Sequence, residues 1–191
     1  MREKREFDIV VYGASGFTGR LVAEYLAGRK DATTRWAMAG RDTAKLAAVR
    51  DEIGAPKDIP LIAADASNPQ SLRDMAKRAR VVLTTVGPYQ LYGAEMVAAC
   101  VAEGTDYADL CGEPAWMRQM IDAHDAQARK TGARIVFSCG FDSIPFDLGV
   151  LFLQTEAKKR FGAPFARVKG RVRKMRGTFS GGTAASLKAT M

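Results

Sequence analysis

The sequence predicts an α/β fold: a Rossmann-type doubly wound parallel sheet, followed by the start of a second mixed α/β domain. Three observations predict it. A β-branched run, Asp8-Ile9-Val10-Val11-Tyr12, ends in Gly13, Gly16 and Gly19 and passes at once into a helical pattern. Short apolar segments then alternate with amphipathic ones as far as Ser138. The 191 residues are 47% hydrophobic and 26% charged, a globular composition with room for one core and part of another. Alternation of strands and helices on this scale requires a parallel sheet covered on both faces.

The first unit carries the strongest chemical signal. Gly13 allows a tight turn, Gly16 lets backbone approach a phosphate, and Gly19 lets helix and strand pack closely. The N-terminus of the following helix then offers bare N–H groups to a pyrophosphate. Ser15, Phe17 and Thr18 lie within the same loop and are expected to bind cofactor with the three glycines. A plain strand–turn–helix without a ligand is the alternative. The helix itself is expected to bury Phe17, Leu21, Val22, Tyr25 and Leu26.

A second strand, Arg35–Ala39, leads into Gly40-Arg41-Asp42. Arg41 stands roughly 20 residues beyond the glycine loop, where an NAD-binding fold places an acid on the ribose 2′-hydroxyl. A guanidinium there suits a 2′-phosphate, because its fork donates two charge-assisted hydrogen bonds. NADPH is therefore expected over NADH. The alternative is a solvated Arg41 beside Asp42, which is a helix cap in either case. A third strand, Leu61–Ala64, ends at Asp65, also assigned to the cofactor site. The next helix presents Leu72, Met75, Ala76 and Ala79 on one face.

The fourth strand, Val81–Val86, runs into Gly87-Pro88-Tyr89, with Gly87 and Pro88 expected against the cofactor. A helix bearing Met96, Val97, Cys100 and Val101 follows. The fifth strand, Tyr107–Leu110, ends in Cys111-Gly112-Glu113-Pro114, with Pro114 as a first helical residue. Met117, Met120, Ile121 and His124 mark the next apolar face, so His124, the only histidine, reads as a packing residue. The sixth strand, Arg134–Ser138, ends in Cys139-Gly140-Phe141-Asp142. These loops lie at the C-terminal edge of the sheet, where ligands bind in open α/β folds. Tyr89, Glu113 and Asp142 are the candidate catalytic residues, with Tyr89 preferred as proton donor because a phenol can hydrogen-bond a developing enolate.

Charge and cysteine usage narrow the classes. The net charge of +8 concentrates between Lys158 and Arg176, a stretch without an acid. From Arg167 to Arg173 basic residues alternate with Val168, Gly170 and Val172, the period of a strand with one charged face. No aromatic residues interleave them, so nucleic-acid binding is not expected. No apolar run reaches the ~20 residues of a membrane span. Cys100, Cys111 and Cys139 have no metal-ligand spacing, and no metal is expected. Isolated thiols without a visible signal peptide point to the cytoplasm.

The ordered motifs Gly13-Ala14-Ser15-Gly16-Phe17-Thr18-Gly19, Ala39-Gly40-Arg41, Val86-Gly87-Pro88-Tyr89, Tyr107-Ala108-Asp109-Leu110-Cys111-Gly112-Glu113, Gly140-Phe141-Asp142-Ser143-Ile144-Pro145 and Ser180-Gly181-Gly182-Thr183 resemble those of the saccharopine dehydrogenase-like oxidoreductases, most closely their trans-acting enoyl reductase subgroup. The resemblance implies a Rossmann domain over residues 1–145, the beginning of a C-terminal substrate domain over 146–191, and a nicotinamide cofactor. It also implies reduction of a carbon–carbon double bond in an enoyl or lipid-type substrate, small or acyl-chain, free or carrier-bound. Relatives of this kind continue beyond the Ser-Gly-Gly-Thr segment, so this chain is expected to be the cofactor domain plus a first strand and helix start. Such a piece is expected to self-associate and to reduce an enone poorly. Two other classes stay open: an atypical short-chain dehydrogenase, although no tyrosine here has lysine four positions later, and a non-catalytic NADPH-binding sensor.

Overall fold

The computed structural model describes residues 4–29, 33–177 and 181–190. Six strands form one all-parallel sheet: β1 (Phe7–Tyr12), β2 (Trp36–Gly40), β3 (Leu61–Ala63), β4 (Ala79–Thr84), β5 (Asp106–Ala108) and β6 (Ile135–Val136). Their order is β3-β2-β1-β4-β5-β6. The chain leaves β3 at one edge and returns beside β1, so a crevice opens between β1 and β4 at the C-terminal ends of the strands. Val10 pairs with Ala37 on one side and Val82 on the other, which makes β1 the centre of the sheet.

Successive β1 residues feed opposite cores, as the period of two demands. Val10 packs with Leu72, Met75, Met96, Val97 and Tyr107. Val11 packs with Ala23, Met38 and Leu46. The second core is made by α1 (Phe17–Ala27) and α2 (Thr43–Glu52), the first by α3 (Pro69–Arg78), α5 (Ala94–Glu103) and α6 (Pro114–Thr131). The short α4 (Tyr89–Tyr92) leads into α5. Asp42 caps α2 as expected, and Asn68 caps α3, which the sequence reading did not single out. Asp42 accepts from the Lys45 N–H at 3.0 Å to start α2, and Asn68 accepts from Ser71 ahead of Pro69 to start α3.

Several sequence expectations need correction. The expected apolar face of α1 is only half right: Val22 and Leu26 pack against the core, but Phe17, Leu21 and Tyr25 are exposed, and Gly19 and Ala23 are the residues fully buried against the sheet. The cause is steric. A β-carbon on Gly19 would overlap the Gly13 carbonyl oxygen and come within 2.8 Å of the Ala14 Cα. Only small residues fit on a helix held this close to the strand below it. Ala79 opens β4 rather than closing α3.

The stretch from Arg167 to Arg173 is not a strand; no ladder partner faces it among the described residues. Period-two spacing shows which side chains share a face, but a strand also needs a neighbour for its N–H and C=O groups. Before it, α7 (Ile144–Phe161) buries only Ala157 and exposes Phe146, Leu148, Val150, Leu151, Phe152 and Leu153. Phe165 folds back on it through paired hydrogen bonds of 2.8 and 2.9 Å with the Gln154 side chain. A final helix, α8 (Gly181–Thr190), follows, and Ser180 lies outside the described residues. No helix among the described residues is long and apolar enough to cross a membrane.

The close approach at Gly19 has a measurable consequence. Gly19→Ala should lower the urea unfolding free energy by about 1–3 kcal/mol, the usual range for overpacking. Gly28→Ala, at a right-handed position whose added carbon meets only backbone oxygens at 3.4 Å or more, should lower it far less. Equal midpoints for both variants would show that the contact is relaxed.

Candidate functional site

The crevice begins at the glycine loop. Gly13 has φ +88°, and a β-carbon there would press within 2.8 Å of both the Thr85 Oγ1 and the Val86 side chain. The Gly16 N–H donates to the Gly13 carbonyl at 2.9 Å, closing the turn. Helix α1 starts without a side-chain cap and without an acid in its first turn. Its first N–H groups and dipole are therefore directed at the crevice, where an anion is favoured. A β-carbon on Gly16 would meet only the Gly13 oxygen, at 3.3 Å, so the protein itself leaves space above Gly16. Ser15 turns its hydroxyl toward the C-terminal end of β2, 3.7 Å from where a Gly40 β-carbon would lie. Phe17 is exposed and Thr18 half-buried at the start of α1.

Arg41 and Asp65 sit together at the ends of β2 and β3. Asp65 accepts from the Ser67 N–H and hydroxyl at 2.9 and 2.8 Å; these bonds, with a smaller contribution from Arg41, hold its carboxyl below the usual range. Burial pushes the Tyr12 phenol up to about 12, with Asp65 adding to the effect and Arg41 opposing it. Arg41 is exposed and faces the same edge as the glycine loop.

On the other side of the crevice, the loops after β4, β5 and β6 are bonded to one another. Tyr89 is 4% exposed. Its hydroxyl donates to the Thr84 carbonyl at 3.2 Å and accepts from the Leu110 N–H at 3.4 Å. Burial raises its phenol well above the ordinary value. These contacts correct its reading as proton donor: the hydroxyl joins the ends of β4 and β5 and is shielded from a ligand. Glu113 is equally committed. Its carboxylate accepts from the Tyr89 N–H at 3.0 Å and the Gln90 N–H at 2.8 Å, capping α4 from another element. Of the three groups expected to be catalytic, Asp142 alone is exposed. Gly87 and Pro88 lie at the crevice edge, joined by a cis peptide bond, with the Ser186 hydroxyl of α8 at 3.7 Å from the Gly87 β-carbon position.

Sequence reading missed the group at the centre of this network. Asp109, 2% exposed, accepts from the Tyr107 hydroxyl at 2.8 Å, the Cys111 N–H at 3.0 Å and the Ser138 N–H at 2.8 Å. Burial is the largest influence on its carboxyl and raises it; the three hydrogen bonds oppose that rise. The signal was present in the spacing, because Asp109 follows the buried Tyr107 by two positions and so shares its face of the sheet. Cys111 is pushed up to about 12 by burial, which makes it an inert packing thiol. No group of metal-ligating side chains occurs among the described residues. Surface hollows lie at the opposite, N-terminal edge of the sheet; one, of about 490 Å³, is lined by residues such as Arg35 and Asp8, which pair with each other.

Comparison with known proteins gives the family of the chain. Residues 9–136 match the family described as the saccharopine dehydrogenase NADP binding domain. The trans-acting enoyl reductase of Mycobacterium leprae (strain TN) is 58% identical over 149 residues, 78% of this chain and 35% of that protein. The trans-acting enoyl reductase of Mycobacterium ulcerans (strain Agy99) is 55% identical over 155 residues, 81% of this chain and 37% of that protein. A Mycobacterium tuberculosis (strain ATCC 25618 / H37Rv) protein is 53% identical over 184 residues, 96% of this chain and 44% of its own length. The chain thus spans less than half the length of the relatives it matches. Among solved structures, apo saccharopine dehydrogenase (L-Glu forming) from Saccharomyces cerevisiae superposes with a TM-score of 0.60 at 18% identity, covering 80% of this chain and 32% of that one.

Asp109 should make stability depend on pH in a distinctive direction. A carboxyl raised in the folded state adds stability below its unfolded value near 3.9 and loses that contribution as pH rises through the folded value. The unfolding free energy of the wild type minus that of Asp109→Asn should therefore fall as pH rises above the unfolded value, as read by urea titration. A difference that is flat or rises with pH would contradict the burial of this carboxyl.

Proposed function

Since this chain belongs to the saccharopine dehydrogenase NADP-binding family, we propose that it holds NADPH across the β1–β4 crevice for reduction of a carbon–carbon double bond in an enoyl or lipid-type substrate. The observation that carries the reading is the uncapped N-terminus of α1 above an open Gly16, with Arg41 at the neighbouring strand end. The residues present fit the cofactor. A β-carbon at Gly13 would fill the turn, Gly16 leaves the backbone bare, and Arg41 replaces the acid that would repel a 2′-phosphate. Family membership favours this over a short-chain dehydrogenase.

Gly13, Ser15, Gly16, Phe17 and Thr18 would receive the pyrophosphate, with Gly19 letting α1 lie close behind them, and Arg41, near Asp65, would receive the 2′-phosphate. Gly87 and Pro88 would border the nicotinamide half. When bound, NADPH supplies the hydride for the alkene β-carbon. The chain's own residues would orient the cofactor along the crevice. Asp142, exposed on the loop after β6, is the side chain available to hold or relay the proton needed at the α-carbon. The subgroup names of the relatives support the choice of an enoyl substrate, free or carrier-bound. Residues 146–191 are read as the start of a substrate-facing domain. The support is α7, whose apolar residues face outward on all sides, as on a helix that another surface covers. The free thiols are in keeping with a cytoplasmic setting.

Arg41→Ala should weaken NADPH by about 10- to 150-fold, the equivalent of about 1.5–3 kcal/mol for a charge-assisted contact, and spare NADH. Fluorescence titration of both cofactors checks it, and equal weakening would remove Arg41 from the site. Gly16→Val should abolish binding of either cofactor while the circular dichroism spectrum is retained. Tight binding by that variant would place the ligand elsewhere.

A further inference from the structure

The fifth strand ends in a segment that reaches both of its neighbours. Asp109 stands at its start and Glu113 at its finish, and each uses both carboxylate oxygens. Toward β6, the Asp109 Oδ1 accepts from the Ser138 N–H, and the Asp109 carbonyl accepts from the Cys139 N–H at 2.6 Å. Ser138 answers by donating its hydroxyl to the Cys111 carbonyl at 2.7 Å. It does so from φ +58°, a conformation that a serine adopts only where its surroundings over-determine it. The next loop residues pack just as closely: a β-carbon on Gly140 would lie 3.1 Å from the Leu110 Cβ.

Toward β4, Glu113 fixes the Tyr89 and Gln90 amides. The first turn of α6 supports the same loop through Trp116, whose ring lies 5.7 Å from that of Tyr89 and within 2.5 Å of where a Gly93 β-carbon would stand. The loop after β4 is therefore held at its end, where α4 begins, by a carboxylate, and α4 is packed against an indole. All of these bonds fall on the β4–β5–β6 half of the crevice; the glycine loop and Arg41 belong to the other half.

We propose that Glu113 and Asp109 are positioning residues: a two-armed brace that sets the shape of the nicotinamide half of the crevice and leaves the adenosine half untouched. This rests on the reading of the crevice as an NADPH site. Neither carboxylate is free to meet a ligand. Each acts through the loop it holds, Glu113 through Gly87-Pro88-Tyr89 and Asp109 through Ser138-Cys139-Gly140.

The two halves can be titrated separately. NADPH spans both, whereas adenosine 2′,5′-bisphosphate carries the 2′-phosphate and adenosine without nicotinamide. Binding of each to the 191-residue chain is measured by calorimetry, with bound-nicotinamide fluorescence followed alongside. Glu113→Ala, which removes both acceptors, should weaken NADPH by about tenfold or more and leave adenosine 2′,5′-bisphosphate within about twofold. Glu113→Gln, which keeps one acceptor oxygen and is expected to fold if the alanine variant does not, should fall between wild type and alanine. The nicotinamide emission of both variants should move toward that of free NADPH. Unchanged NADPH affinity in the glutamine and alanine variants would overturn the brace. So would equal loss of both ligands, which would mark a general structural role. A wild type that binds neither ligand would overturn the NADPH site itself, and one that binds both while the variants behave identically to it would overturn the brace alone.

Discussion

The contact between Gly19 and the Gly13 carbonyl is the constraint on which the crevice depends. No β-carbon fits between them. Because α1 can lie this close to the end of β1, its uncapped N-terminus opens directly over the β1–β4 switch point. A helix one side chain further away would aim its dipole past the crevice, and the effect of that dipole fades within the first turn. The same closeness explains why Ala23 faces the sheet while Phe17, Leu21 and Tyr25 are left outside. One steric requirement thus sets both the anion-binding end of the helix and its exposed apolar stripe.

The two halves of the crevice are built by different means. The β1–β2–β3 half is largely backbone: a glycine turn, a helix end, and the exposed Arg41 with the half-buried Asp65 near the strand ends. The β4–β5–β6 half is tied by buried polar side chains. There Asp109, Glu113, Tyr89 and Ser138 satisfy one another and the loop amides. A buried carboxylate is costly unless its oxygens are occupied, and here each accepts at least one donor. Satisfied networks of this kind hold loops rigidly.

Beyond β6 the balance of forces changes. Helix α7 leaves most of its apolar residues exposed, and the basic stretch after Phe165 makes no ladder among the described residues. Burial of apolar surface is the main favourable term in folding, and in α7 only Ala157 is buried. The saccharopine dehydrogenase family match ends at residue 136, just where this change begins.

Much of this was written in local sequence. The alternation of periods, the glycine triplet, Asp42 as a cap and Pro114 at a helix start depend on residues within a turn or two of one another. Such short-range preferences survive in any context, and so the doubly wound fold and the tight glycine turn at the end of β1 were legible. The position of Arg41 just beyond the end of β2 was legible for the same reason. Tertiary structure decided the rest. Glu113 meets Tyr89 across 24 positions and Asp109 meets Ser138 across 29, and no periodicity records such pairings. A tyrosine, a glutamate and an aspartate beside one sheet edge look alike as candidate acids until burial separates them. Tyr89 and Glu113 are consumed by the scaffold, and Asp142 is left in solvent. The alternating basic stretch from Arg167 to Arg173 carries the same lesson: side-chain spacing is local, but a strand exists only where a second strand accepts its hydrogen bonds.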